Sequence, residues 1–305
     1  MFTEEPTAQQ TSLPAEPADV AEQSQPQPYA DNRIDPVAPI VTVTTETSVP
    51  TIGRWHDWFN LLKAFLIWVV SIILLVVVQL IFTIPYFILL WATTGPPKVE
   101  ALATDKIVAF LSIIAVLPAH LLTLGVIWLM VTEGRKRPFW KTINFEWPEN
   151  LRPGIVIIAC VVLSLALLSL GGLVTHYWGG TKTQIDLLVE SSVPARLATA
   201  FVAVFTAPLV EELIYRGVLY SALERTLGKI IGVLVVSLLF AGVHVFQYID
   251  NFAVIGVITL LSVTLTVVRA YTGKVLPSFI IHLVFNGIQS IVIALWPFFG
   301  WNGSN

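Results

Sequence analysis

The chain has 305 residues, 55% of them hydrophobic and 12% charged, with a mean hydropathy of +0.78. That composition excludes an ordinary soluble domain and fits a polytopic helical membrane protein. A net charge of -3 offers no basic surface to nucleic acid. The single cysteine, Cys160, lies in an apolar run, so it excludes an intrachain disulfide, argues against a thiolate metal cluster and reads as a small residue facing lipid or core.

Residues 1–53 are rich in Gln, Pro, Thr, Ala and Glu, with few large apolar side chains. Such a segment buries too little surface to offset its chain entropy, and a disordered cytoplasmic tail is expected. Its acidic start and distant apolar run do not resemble a signal peptide.

Runs of about 20 apolar residues mark spanning helices. They predict seven, near 64–92, 107–132, 154–176, 196–220, 230–249, 253–271 and 276–297. The fold class is therefore an all-α membrane bundle, with the first two spans and a basic loop in 54–153 and the others in 154–305. The first span is long enough to tilt or to kink at Pro85. Trp55, Trp58, Trp91, Trp128, Trp140, Trp147, Trp178, Trp296 and Trp301 fall near proposed ends, as an interfacial belt requires.

Of the 17 Lys and Arg residues, all but Lys98, Lys106, Lys182 and Arg196 fall on the side that holds the amino terminus. An internal amino terminus is the expectation, in a bacterial cell membrane. The segment 134–147 mixes basic and aromatic residues. It reads equally as a loop resting on the anionic inner leaflet or as an ordinary positive-inside loop.

The fourth run contains two adjacent carboxylates and an arginine, Glu211, Glu212 and Arg216. Charges within hydrocarbon are costly and belong in a protein interior or a wet cavity. On a helix Glu212 and Arg216 stand four residues apart and can pair, while Glu211 points about 100° away and stays available. Two more polar insertions follow: His244 in the run from Ile230, and His282 one helical turn before Asn286. At the helical rise, Glu211 lies about 15 Å, His282 about 10 Å and His244 about 20 Å from the inner ends of their spans, so the groups can meet. His120, which has no ionisable neighbour in sequence, reads as structural, and His56 and His176 as interfacial.

A partly desolvated glutamate suits a general base that takes a proton from water. An imidazole can hold the same water or pass the proton to a leaving amine. A second imidazole with an amide N–H can donate to the oxyanion of a tetrahedral intermediate. The set suits hydrolysis of an acyl bond, most naturally a peptide.

Glu211-Glu212-x-x-x-Arg216, Phe240-x-x-x-His244 and His282-x-x-x-Asn286, in this order on successive apolar segments, resemble the three signatures of the CAAX protease and bacteriocin-processing (Abi) family. The resemblance covers about 196–297. It implies an intramembrane glutamate-dependent endopeptidase in which Glu211 and His244 activate water, His282 and Asn286 form the oxyanion hole, and Glu212 with Arg216 braces the site. It further implies a lipid-bilayer setting and a peptide or membrane-protein substrate. No cofactor is expected; zinc on Glu211, His244 and His282 is the alternative. The chain has no Gly-x-Ser-x-Gly, Gly-x-Gly-Asp or His-Glu-x-x-His motif. A non-catalytic scaffold, of the bacteriocin self-immunity type, is the competing reading. A proton-coupled transporter would call for internal repeats, which are not seen.

Overall fold

Long hydrophobic segments with capped ends set the helices. The computed structural model describes residues 51–98, 101–102, 105–180, 182–245, 247–249 and 251–295, with no side chains described for 51–56 and 184. Residues 1–50 of the expected tail, Trp296 and Trp301 lie outside these residues, and the tail's last three positions, 51–53, belong to the first helix instead. We label the helices α1 (Thr51–Thr94), α2 (Lys106–Val131), α3 (Phe139–Thr142), α4 (Pro153–Trp178), α5 (Gln184–Ser191), α6 (Val193–Leu227), α7 (Lys229–Val245), α8 (Phe252–Thr272) and α9 (Leu276–Leu295). No strand occurs among the described residues.

Local chemistry fixes the boundaries. Asp105 caps α2 by accepting from Ile107 N and Val108 N at 2.7 and 3.2 Å. Pro153 opens α4, and Thr183 with Asp186 forms a capping box on α5. Ser192 caps α6, with Pro194 in its first turn. Gly228 (φ +88°) and Gly273 (φ +68°) make the turns after α6 and α8 in a backbone region that other residues avoid.

Six helices, α1, α2, α4, α6, α8 and α9, are long and apolar enough to cross a membrane, and α7 is a shorter apolar helix of 17 residues. Helices therefore occupy all seven predicted runs, six of them of spanning length, while the fifth is shorter and ends at Val245 rather than 249. α1 has 44 residues and would be about 66 Å long, twice the hydrocarbon thickness, so it tilts or projects beyond it. Pro85 lies within α1 without ending it.

With no hydrophobic drive between helices inside lipid, close packing depends on small residues and interhelical hydrogen bonds. α1 and α2 meet around Ala115 and Ala119, both buried, beside Val78. α4 meets α9 where the Ser164 hydroxyl lies 3.1 Å from Ile281 O, and Cys160 Sγ lies 3.5 Å from Pro277 O. Cys160 thus faces the core, one of the two places open to it.

The turn from α6 into α7 depends on Gly232, where an added Cβ would stand 3.3 Å from both Glu224 N and Tyr220 Cε2. A backbone nitrogen cannot move aside cheaply. Gly232→Val should therefore lower stability by about 1–3 kcal/mol. Gly256→Val, with nothing within 4 Å of the added Cβ, should change little. Thermal unfolding in detergent compares the two.

The segment 134–147 folds back beneath the bundle rather than lying free. Ile143 is 1% exposed, Phe145 packs on Phe279 with ring centroids 5.3 Å apart, and Val275 N donates to Asn144 O at 2.9 Å. Lys274 bridges Glu146 and Glu149 at 3.0 and 3.2 Å. Those two acceptors raise the Lys274 pKa above the ordinary lysine value. Trp140 stays about half exposed, as an interfacial residue should.

Candidate active site

α6 carries the acidic pair, and its backbone is not a regular α-helix. Two π-helical stretches, Val202–Thr206 and Leu213–Leu219, flank Glu211 and Glu212. Such bulges shift the hydrogen-bond register and recur at functional sites. Here Arg269, on α8, donates from Nε to Arg216 O at 3.2 Å and from Nη2 to Ser221 Oγ at 3.0 Å, fastening the wider turn. Arg216 and Arg269 are both buried, not flanking residues as the count of basic side chains assumes; the excess on one side stands without them.

Glu212 and Arg216 form the expected pair: Nη1 lies 2.8 Å from Oε1, and both side chains are fully buried. The guanidinium is held on its other edges as well. Nη2 donates to Ser262 O and Ser262 Oγ at 3.1 and 3.0 Å, Nε donates to Thr266 Oγ1 at 3.3 Å, and the Phe240 ring lies 4.7 Å away. Hydrogen bonds on every side are what a buried charge requires.

His282 stands between the two acids. Nδ1 is 3.0 Å from Glu212 Oε1, and Nε2 is 3.6 Å from Glu211 Oε2. Phe240 packs against both histidines, with ring centroids 4.7 Å from His244 and 6.0 Å from His282. His244 Nδ1–H donates to Phe240 O at 2.8 Å, which leaves Nε2 of the neutral ring as an acceptor. Asn286 donates from Nδ2 to Ala203 O at 3.0 Å, and its second N–H remains.

A cavity of about 870 Å³ runs between the helices, and Glu211, His244 and Asn286 all line it. The structure therefore brings together the three sequence-predicted elements, with Glu211 retaining 22% side-chain exposure while Glu212 retains none. α6 continues to Leu227 instead of ending near 220, so Glu211 is about 24 Å from that end, not 15 Å. His282 lies about 9 Å from the start of α9, so the carboxyl end of α6 extends further from the site than the start of α9 does.

One residue read as structural lies in the same cavity. His120 lines its wall, with Nδ1 2.9 Å from Thr206 Oγ1 in the first π segment. Its ionisable neighbours come from other helices, which sequence proximity could not reveal. His176, at the end of α4, is exposed and meets Tyr177 edge to face, in keeping with an interfacial position. Among the described residues no three of His, Cys, Asp and Glu are grouped to hold a metal ion.

Fold and site together define a multi-pass helical membrane protein with a buried Glu/Arg/His cluster opening on a cavity. Residues 193–288, from the first residue of α6 into α9, match the family model described as type II CAAX prenyl endopeptidase Rce1-like. The match covers a segment similar to an Rce1-like domain, agrees with the resemblance in the motifs and supports a membrane-protease function in general terms. No curated protein and no solved structure matches the chain.

Proposed function

We propose that the protein is an intramembrane endopeptidase that hydrolyses a peptide bond with water activated by Glu211. The observation that carries this reading is the division of labour between adjacent acids. Glu212 is sealed against Arg216 and His282, while Glu211 faces the cavity beside His282.

Glu211 takes a proton from water as the water oxygen attacks the scissile carbonyl carbon. His244, fixed through Nδ1, holds that water through Nε2. The carbonyl π electrons move onto oxygen, where the free Asn286 N–H and His282 Nε2–H donate to the oxyanion. With Nδ1 committed to Glu212, the donor at Nε2 requires a ring bearing both protons, and this ring faces a carboxylate at each nitrogen. Collapse expels the amine, which receives the proton first taken by Glu211. One water is consumed, and one carboxyl and one amino terminus appear. In the proposal Arg216 and Glu212 are positioning residues.

No step of this proposed mechanism calls for a metal. Cleavage should survive exhaustive chelation, measured on detergent-purified protein dialysed against a chelator; loss of cleavage restored by zinc would favour the metal alternative. A Glu211→Gln chain keeps the shape of the site without its base. It should co-purify with uncut substrate identifiable by mass spectrometry, and the same peptides cut at normal rate by that variant would remove Glu211 from the mechanism.

We further take the amino terminus to be cytoplasmic, because the basic residues of 132–152 and of the turns after α6 and α8 share one face.

A further inference from the structure

The cavity is one-sided. Its rim includes Leu102 and Lys106 before and at the start of α2, Ile185 and Glu190 on α5, and Gln247 and Tyr248 after α7. Counting helices along the chain, these three connections all lie on one face, and 132–152, Gly228 and 273–275 lie on the other. No residue of that second face lines the cavity.

Its floor is closed by packed side chains. Ile127, Leu213, Leu219 and Tyr220 are wholly buried, Phe240 is 2% exposed, and Ile143 from the basic loop belongs to the same cluster. A second cavity of about 230 Å³ on the basic-loop face, bordered by Lys63, Ile143 and Gly217, shares no lining residue with the first, so this packed layer separates the two. The other face is built to open differently: α5 is a two-turn helix held by its capping box and by Lys182 on Glu190 at 2.7 Å, and it turns Ile185 and Leu188 toward the cavity. The walls beyond the polar cluster are mostly aliphatic, among them Ile72, Leu75, Ile113, Val116 and Val202.

We propose that the site is reached only from the face opposite the basic loop, and that its substrates are peptide segments, apolar around the scissile bond, that present themselves on the non-cytoplasmic side of the membrane. The nature of what enters rests on the proteolytic reading above; the sidedness does not. On this view cleavage follows translocation or insertion of the substrate, so a reaction that moves peptide across the membrane supplies it.

Cys160 is the only cysteine and is buried, so introduced thiols read out cleanly. Three full-length variants suffice: Gln247→Cys at the rim, Thr199→Cys on the cavity wall and Lys141→Cys in the basic loop. Intact cells producing each are treated with a membrane-impermeant maleimide, and accumulation in the membrane is checked by immunoblot. The first two should be labelled in intact cells and the third only after permeabilisation. Labelling of Lys141→Cys in intact cells, or of Thr199→Cys only after permeabilisation, overturns the proposal. The same pattern should appear in a Glu211→Gln background. Sidedness can therefore fail while catalysis stands, and catalysis can fail while sidedness stands.

Discussion

Arg216→Met should destabilise the protein by about 3–5 kcal/mol, the usual result of removing one partner from a buried ion pair. The cost comes less from the lost attraction than from the carboxylate left behind. Glu212 has no exposure, and without Arg216 its remaining charged neighbour is His282 at 3.0 Å. The guanidinium also ties α6 to α8 through Ser262 and Thr266, so those hydroxyls lose a donor at the same time. Joining Glu212→Gln to Arg216→Met removes both charges and should recover much of the loss, because neither partner is then left as an unpaired buried charge. Denaturation of detergent-purified single and double variants measures the coupling. An Arg216→Met variant as stable as the parent would show that the pair braces nothing.

Glu211→Gln is expected to act in the opposite way, on rate and not on stability. Removing a general base commonly lowers turnover by about 10²–10⁴-fold. Glu211 keeps contact with the cavity, and His282, 3.6 Å away, keeps Glu212 at its other nitrogen, so an amide at 211 leaves no buried charge without a partner. Its effect on unfolding should stay within about 0.5 kcal/mol. Glu212→Gln, one residue away, should lose both turnover and stability. Parallel kinetics and unfolding on the two purified variants separate these outcomes, and equal loss of stability in both would deny the acids their different roles.

The hydropathy of the sequence located the spans, and the four-residue spacing of Glu212 and Arg216 correctly foresaw their pairing. Apolar runs carry both kinds of information, because length reports on the bilayer and helical spacing reports on faces. The π turns were not legible. Val202–Thr206 and Leu213–Leu219 are as apolar as ordinary helix, and nothing in their composition records a change of hydrogen-bond register. The extension of α6 to Leu227 was hidden for a related reason: Glu224, Arg225 and Thr226 read as loop, yet they continue the helix beyond its apolar part. His120 was missed because its neighbours arrive from α6 and not from its own helix. Arg269 looked like one more basic residue at a span end, and only packing turns it inward onto the Arg216 carbonyl.

The most direct test of whether Glu211 drives peptide hydrolysis is a comparison of peptide termini in membranes holding the parent chain or Glu211→Gln at equal abundance. The proposed chemistry predicts paired new amino and carboxyl termini, set in apolar sequence, that appear with the parent and vanish with the variant. Identical sets of termini from the two membranes would contradict it.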